Sequence, residues 1–276
     1  MKNTRNERHS SRKSAIVALV ILVFCALAVG LLFGYRALRD LWLDQCVIRD
    51  FERQVSINEG KMVKADVLAR ALTLTNGANL ATINFSEKRR EILAKVPNLR
   101  EISISRRLPD RVAVNVEERE PVARVNISGR RRESGRVVDL DGVVFLCQRG
   151  TRSLPVIRES SGPGTPIGGR LKERGLAALQ LIDTCRDTEF QDFGILEIDI
   201  TKPDYLLVTL GGTYARVKLA WEGMDERTAA AKASLVRQLS HLKSAMRSHI
   251  GDGAIIWNAT DFSKPGRIYA DTKGNL

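Results

Sequence analysis

Ser14 to Tyr35, SAIVALVILVFCALAVGLLFGY, is a run of 22 residues without a charge. As a helix rising 1.5 Å per residue it is about 33 Å long, enough to cross the roughly 30 Å hydrocarbon core of a bilayer. A soluble helix of that length keeps a polar stripe toward water, and this one has none. A cleavable secretory signal is one competing reading, because Ala26-Leu27-Ala28 has the A-x-A form of a cleavage site. The apolar run nevertheless continues through Val29, Gly30, Leu31, Leu32 and Phe33, and bulky Phe24 before Cys25 is a poor fit to a lipoprotein cleavage site. A helix buried on all sides in a large core is the other competitor. The segment 14–35 is predicted to be a transmembrane helix.

The flanks orient it. Lys2, Arg5, Arg8, Arg12 and Lys13 precede the span against the single acid Glu7, whereas Arg36 and Arg39 after it are offset by Asp40 and Asp44. The positive-inside bias leaves residues 1–13 as a basic cytoplasmic tail and exports the chain beyond Tyr35. That makes a single-pass type II protein of the cytoplasmic (cell inner) membrane. Tyr35 and Trp42 bracket the outer end, where aromatic rings favour the interface. With no Pro or Gly before about Phe51, residues 36–52 are predicted to prolong the helix as a stalk. Ala26, Gly30 and Gly34 recur every four residues and form a small-residue face suited to packing on another membrane helix.

The whole chain has 276 residues and a formal net charge of +12, which raises nucleic acid or anionic lipid as partners. Its basic residues are scattered among acids, and only three Trp, four Tyr and eight Phe are available for base stacking. That argues against nucleic acid and leaves membrane lipid. Cys25 lies in the span; Cys46, Cys147 and Cys185 come after it without C-x-x-C or metal-ligand spacing. A Cys147–Cys185 disulfide is compatible with an oxidising compartment, and the sequence does not decide it.

From Gln54 the pattern changes. Val55 and Ile57 alternate with polar residues and Glu59-Gly60 makes a turn, which reads as a short strand. Val63 to Leu72 has helical spacing and Asn76-Gly77 closes it. Ser86 stands as an N-cap before EKRREILAKV, and Pro97 ends that helix. Two alternating runs, Arg100–Arg106 and Arg111–Glu117, flank a Leu108-Pro109-Asp110 turn as a hairpin. The predicted order is β-α-α-β-β, two helices on a three-stranded sheet.

These residues resemble the polypeptide-transport-associated (POTRA) module of the bacterial cell-division family FtsQ/DivIB. The resemblance is carried by INEGKMVKADVLARAL, LTNGANLATIN, VPNLREISISRRLPDRVAVNVEEREPVARV and VVDLDGVVF. Within it lie Val96-Pro97-Asn98, Arg107-Leu108-Pro109 and Glu118-Arg119-Glu120-Pro121-Val122-Ala123; Leu108 replaces the usual aromatic and Asn98 an apolar residue. The expected fold is α+β: an N-terminal transmembrane helix, a POTRA-like domain at 53–121, and a mixed β-sheet domain with two flanking helices at 122–276.

The remainder reads independently as β-rich. Runs Val122–Ile127, Arg136–Leu140, Val143–Cys147 and Leu154–Ile157 precede a helix from about Leu171 to Cys185. Strands come next at Ile195–Ile200, Tyr205–Leu210 and Tyr214–Leu219, with Gly211-Gly212 turning the second into the third. A helix from about Asp225 to Arg247 presents Leu235, Leu239, Leu242 and Met246, and strands Ala254–Trp257 and about Arg267–Ala270 end the fold.

No motif carries catalysis. Asp139-Leu140-Asp141-Gly142 has two carboxylates but no further oxygen ligands at calcium-loop spacing, so it reads as a β-turn. Arg130-Arg131-Arg132 reads as a solvated loop tip, and His241 and His249 as exposed or capping groups. The sequence predicts no enzyme and no cofactor. What remains is binding through an exposed strand edge, where backbone groups supply affinity and alternate side chains specificity.

The resemblance implies that the last strands capture a segment of an FtsB/DivIC-like protein, itself paired with an FtsL-like protein, among other divisome proteins. Carried over by position, that site falls on Asn258–Phe262 and Arg267–Ala270, with Phe262, Arg267, Ile268 and Tyr269 as contacts around a Lys264-Pro265-Gly266 turn. It also implies a second surface on the POTRA edge strand, at Ile102, Ile104 and Arg106. The expected function is a non-catalytic scaffold at the division septum that helps control septal peptidoglycan synthesis. The rival is an outer-membrane assembly or secretion component, since POTRA modules also receive unfolded clients; it expects several tandem modules, and one is legible here.

Overall fold

The computed structural model describes residues 4–58, 60–107, 109–127, 135–147, 149–160, 162–186, 189–212, 215–248, 256–261 and 268–271, with side chains described from 19 onward except at 20, 127, 269 and 271. In chain order the elements are α1 (Thr4–Gln45), α2 (Phe51–Gln54), β1 (Val55–Asn58), α3 (Ala65–Leu72), α4 (Phe85–Lys95), β2 (Leu99–Arg107) and β3 (Arg111–Glu118). Then come β4 (Ala123–Ile127), β5 (Arg136–Val138), β6 (Val144–Leu146), β7 (Val156–Glu159), α5 (Glu173–Arg186), β8 (Ile195–Asp199), β9 (Leu206–Leu210), β10 (Arg216–Leu219), α6 (Ala229–Ser248), β11 (Ile256–Ala259) and β12 (Tyr269–Asp271). The backbone divides into two compact units. One comprises Met1–Asn58, Asp66–Arg89 and Ser103–Asn115, the other Glu59–Ala65, Arg90–Ile102 and Val116–Leu276.

The predicted α+β architecture is present, with the POTRA order β1-α3-α4-β2-β3. Its sheet runs β1-β3-β2, and β1 lies parallel to β3 with Val55 opposite Val112 and Ile57 opposite Val114. Leu68, Leu72, Ile92, Leu99, Ile102 and Val114 are fully or almost fully buried.

The first unit begins with α1, which contains all of Ser14–Tyr35; within Ile21–Gln45 an 18-residue window has a mean hydropathy of 2.2 and no side chain buried. The expected stalk to residue 52 is cut short, because α1 stops at Gln45. Cys46 to Asp50 instead lies against Asn76 to Leu80. Ile48 N donates to Ala78 O at 2.9 Å, Gly77 N to Ile48 O at 2.7 Å and Leu80 N to Cys46 O at 2.8 Å. Cys46 and Ile48 are both fully buried. Tertiary pairing wins here over a locally permissible helix, as it does wherever burial outweighs weak propensity.

The cap of α4 is also displaced. Asn84 Oδ1 accepts from Glu87 N at 3.3 Å and Asn84 O from Lys88 N at 3.1 Å, so Asn84 rather than Ser86 is the N-cap.

In the second unit a mixed sheet of nine strands has the order β12-β11-β10-β9-β8-β7-β4-β5-β6. Its parallel neighbours β7 with β8 and β10 with β11 are joined through α5 and α6 respectively, the long crossover that parallel pairing demands. The two helices pack on the same apolar core: Leu181, Ile182 and Cys185 from α5, Leu235, Leu239 and Leu242 from α6, and Ile198, Val208, Val217 and Trp257 from the sheet. Met246 joins only at the margin, because the stripe it was predicted to share runs out toward the helix end.

Candidate functional site

The two ends of the nine-stranded sheet differ. At β6 the outer edge is occupied: Gly168 N donates to Val144 O at 2.7 Å, and Val144 N donates to Gly169 O at 2.9 Å. On the same side Leu146 O accepts from Asn98 Nδ2 at 2.8 Å. At the opposite end β12 pairs with β11 alone, with Tyr269 opposite Asn258, Ala270 opposite Trp257 and Asp271 opposite Ile256. Among the described residues no strand lies on the outer side of β12. An edge of this kind offers unpaired backbone donors and acceptors to an incoming segment.

Support for this edge comes from behind it. Trp257 and Ala259 on β11 are buried in the core. Gln238 of α6, itself buried, donates through Nε2 to Ala259 O at 2.5 Å. Asn258 Oδ1 accepts from Thr260 N at 3.2 Å and from Thr260 Oγ1 at 2.9 Å, which holds the chain as it leaves β11. Of the residues expected to bind a partner, Ile268 is half-buried and packs against the main core, so it anchors β12 rather than presenting itself to solvent. The backbone of Tyr269 is on β12. Phe262 and Arg267 lie outside the described residues, as does the expected Lys264-Pro265-Gly266 turn.

The other expected surface changes in detail. β2 is an edge strand of the β1-β3-β2 sheet, as a docking strand must be. Ile102, however, is fully buried and has no side chain to offer a partner. Ile104 is half-buried. Arg106 is exposed but engaged: its guanidinium donates to Ile83 O and lies 4.8 Å from the centre of the Phe85 ring. On α1, Tyr35 and Trp42 are exposed, as are Ala26, Gly30 and Gly34, and a Cβ built on either glycine would meet nothing within 4 Å beyond the helix's own backbone.

The acidic cleft of about 320 Å³ lined by Glu117, Glu118, Asp139 and Asp141 is the place to look for chemistry. Each carboxylate has a partner. Glu117 pairs with Arg100 at 3.3 Å, Asp141 with Arg100 at 3.4 Å, and Asp139 with Arg119 at 2.5 Å. Asp139 Oδ1 also accepts from Val143 N at 2.8 Å, and Gly142 sits at φ +85° with its N–H on Asp139 O, so Asp139–Gly142 is a strand-joining turn. Among the described residues no group of His, Cys, Asp and Glu is arranged to hold a metal ion. His241 is exposed, whereas His249 and Arg130–Arg132 lie outside the described residues.

The cysteines do not pair. Cys147 sits with Val137 and Phe145, Cys185 sits in the main core, and both are free thiols. Burial pushes the Cys185 thiol up to about 12.

The structural residue that the sequence reading missed is Glu118. Its carboxylate accepts from the backbone amides of Lys61 at 2.8 Å, Met62 at 2.8 Å and Val63 at 2.6 Å. Arg119, next along the chain, donates to Pro97 O at 3.1 Å as well as to Asp139. The Glu-Arg pair of the E-R-x-P-V-A signature is therefore a pair of clamps, and its presence in that signature was the available signal.

Comparison with known proteins agrees with this geometry. The family model of the POTRA domain, FtsQ-type, matches residues 53–119. The cell division protein FtsQ of Streptomyces bingchenggensis (strain BCW-1) is 26% identical over 201 residues, which span 70% of this chain and 70% of that protein. With an FtsQ-type POTRA domain at residues 53–119, a candidate membrane helix before it and a nine-stranded sheet after it, this chain is similar to cell division protein FtsQ.

Proposed function

We propose that this FtsQ-like protein is a non-enzymatic scaffold that joins membrane division proteins at the septum and helps control septal peptidoglycan synthesis there. The observation that carries the reading is the asymmetry of the nine-stranded sheet, closed at β6 and, among the described residues, open at β12. An FtsB/DivIC-like segment, paired in turn with an FtsL-like protein, adds to the outer edge of β12, with Tyr269 and Phe262 as side-chain anchors. A single helix holds the protein in the cell inner membrane. The basic residues of the tail, Lys2 to Lys13, support a cytoplasmic N-terminus and an extracytoplasmic remainder organised as a POTRA domain at 53–121 and a β domain at 122–276. Edge strand β2 serves as a secondary surface through its backbone and Ile104.

Affinity capture of the full chain from membranes tests this reading. A coiled-coil membrane protein of the FtsB/DivIC kind is expected in the eluate, and a fluorescent fusion is expected to form a midcell ring. A uniform envelope signal that persists through constriction would refute the division role.

A further inference from the structure

We propose that the end of the first unit from which α1 emerges rests on the anionic headgroup surface of the bilayer, with Arg49, Arg107 and Arg111 as its lipid contacts. This rests on the membrane-anchor reading above.

The uncovered apolar surface of α1 does not stop at Tyr35. Leu38 is 70% exposed, Leu41 63% and Trp42 47%. Side chains of this kind in a continuous helix are left bare where a bilayer covers them, and Trp favours the headgroup level. Arg36 and Arg39 in the same stretch are long enough to reach the interface, and Arg39 is paired with Asp40 at 3.2 Å. The interface is thereby placed at Trp42, two turns beyond the end of the apolar run.

The folded domain begins at once. Leu43 O accepts from Asn79 Nδ2 at 3.0 Å, and Cys46 and Ile48 are bonded to Leu80 and Ala78. Three residues of helix from Trp42 to Gln45 rise about 5 Å, so no spacer lifts this end off the surface.

The arginines gather at the same end. Arg49 and Arg53 lie on the segment that leaves α1, and both are exposed. Arg107 and Arg111 flank the β2–β3 hairpin tip, also exposed. That tip is tied to the same segment, since Gln54 Nε2 donates to Asp110 Oδ2 at 2.7 Å. β1 and β3 are parallel with Val55 opposite Val112, so both strand starts share this end. Two of the acids nearby are already engaged: Asp110 by Gln54, and Asp50 by Arg53 at 3.3 Å. Guanidinium groups suit phosphate oxygens bidentately. An arginine close to an anionic leaflet strengthens attachment by about fivefold.

The full chain, reconstituted in nanodiscs of phosphatidylcholine with and without phosphatidylglycerol, provides two readouts. Brominated lipid should quench an emission component that disappears in Trp42→Phe. Hydrogen exchange over residues 46–54 and 107–111 should slow by about fivefold for each engaged arginine when phosphatidylglycerol is present, and high salt should reverse the slowing. An Arg49→Glu/Arg107→Glu/Arg111→Glu variant with an unchanged unfolding midpoint in detergent should lose the slowing; the lipid comparison on the parent chain decides the matter on its own if that variant does not fold. Equal exchange in both lipids, with Trp42 quenched, overturns the proposal and leaves the membrane anchor standing. An unquenched Trp42 overturns both.

Discussion

Arg119 and Asp139 form an ion pair between side chains that are only 15% and 6% exposed. The pair connects the end of the POTRA hairpin to the turn after β5, and Arg119 N adds a bond to Asn98 O at 2.8 Å. Removing one member of a buried pair strands the other charge, which costs ~3–5 kcal/mol. Asp139→Ala is expected to lower stability by about that much, and Asp139→Asn by less because Val143 N keeps an acceptor. Denaturant unfolding of the chain in detergent measures both. An unchanged midpoint in Asp139→Ala would show that the pair contributes nothing.

Glu118 and Gly60 should be coupled. A Cβ built on Gly60 would fall 2.1 Å from Glu118 Oε1, so Gly60→Ala must push the carboxylate off the three amides that it holds. Glu118→Ala leaves those amides without a charged acceptor and should cost about 2 kcal/mol. The double variant is expected to be less destabilised than the sum of the singles, because the clash vanishes with the carboxylate. Strict additivity in thermal unfolding would sink the clamp.

At β12 two neighbouring residues should separate binding from folding. Ile268 packs on the core, so Ile268→Ala is expected to cost about 1–2 kcal/mol of stability. Tyr269→Ala with Phe262→Ala should abolish recovery of the partner while leaving the unfolding midpoint nearly unchanged. Loss of folding in that double variant would assign both rings to the core instead.

The thiols of Cys147 and Cys185 should stay reduced, and reductant should leave the melting temperature unaltered, because each is free and lies in a different apolar cluster. With the native thiol of Cys185 raised from 9.0 to about 12, the unfolded chain releases this proton first as pH rises. Stability from this group is complete below pH 9.0 and declines toward about 12, a decline that Cys185→Ser should lack. Native alkylation mapped by mass spectrometry should leave Cys185 unmodified at pH 8 and label it in urea; prompt labelling of the folded chain would contradict the burial.

The elements legible in advance came from local periodicity. The alternation in Arg111–Glu117 and the helical spacing in Val63–Leu72 each became, within two residues at their ends, the element suggested, and the long apolar run lies whole within α1. Cys46 to Asp50 was misread because its alternate buried residues, Cys46 and Ile48, come after a helix without any stop signal; the pairing that ends the helix comes from residues 76–80. The cap of α4 was misplaced by two residues because Asn84 and Ser86 are both good caps, and only the bond from Glu87 N distinguishes them. The position of β12 at a sheet end was beyond pattern reasoning altogether. Which strand ends a sheet depends on strand order, and the order β12-β11-β10 is produced by a crossover through α6. Glu118 was hidden for a similar reason: its partners lie 55 to 57 residues earlier.

The direct bonding of Cys46–Ile48 to Ala78–Leu80 makes α1 a crankshaft for the first unit. Successive residues of an α-helix are set about 100° apart around its axis. With no swivel at Gln45, the azimuth of α1 about its axis also sets the azimuth at which the β2–β3 hairpin is presented. One residue inserted into α1 would turn that hairpin by about 100° while raising it only about 1.5 Å. Two membrane helices gripping each other could in this way aim a hairpin that neither of them touches.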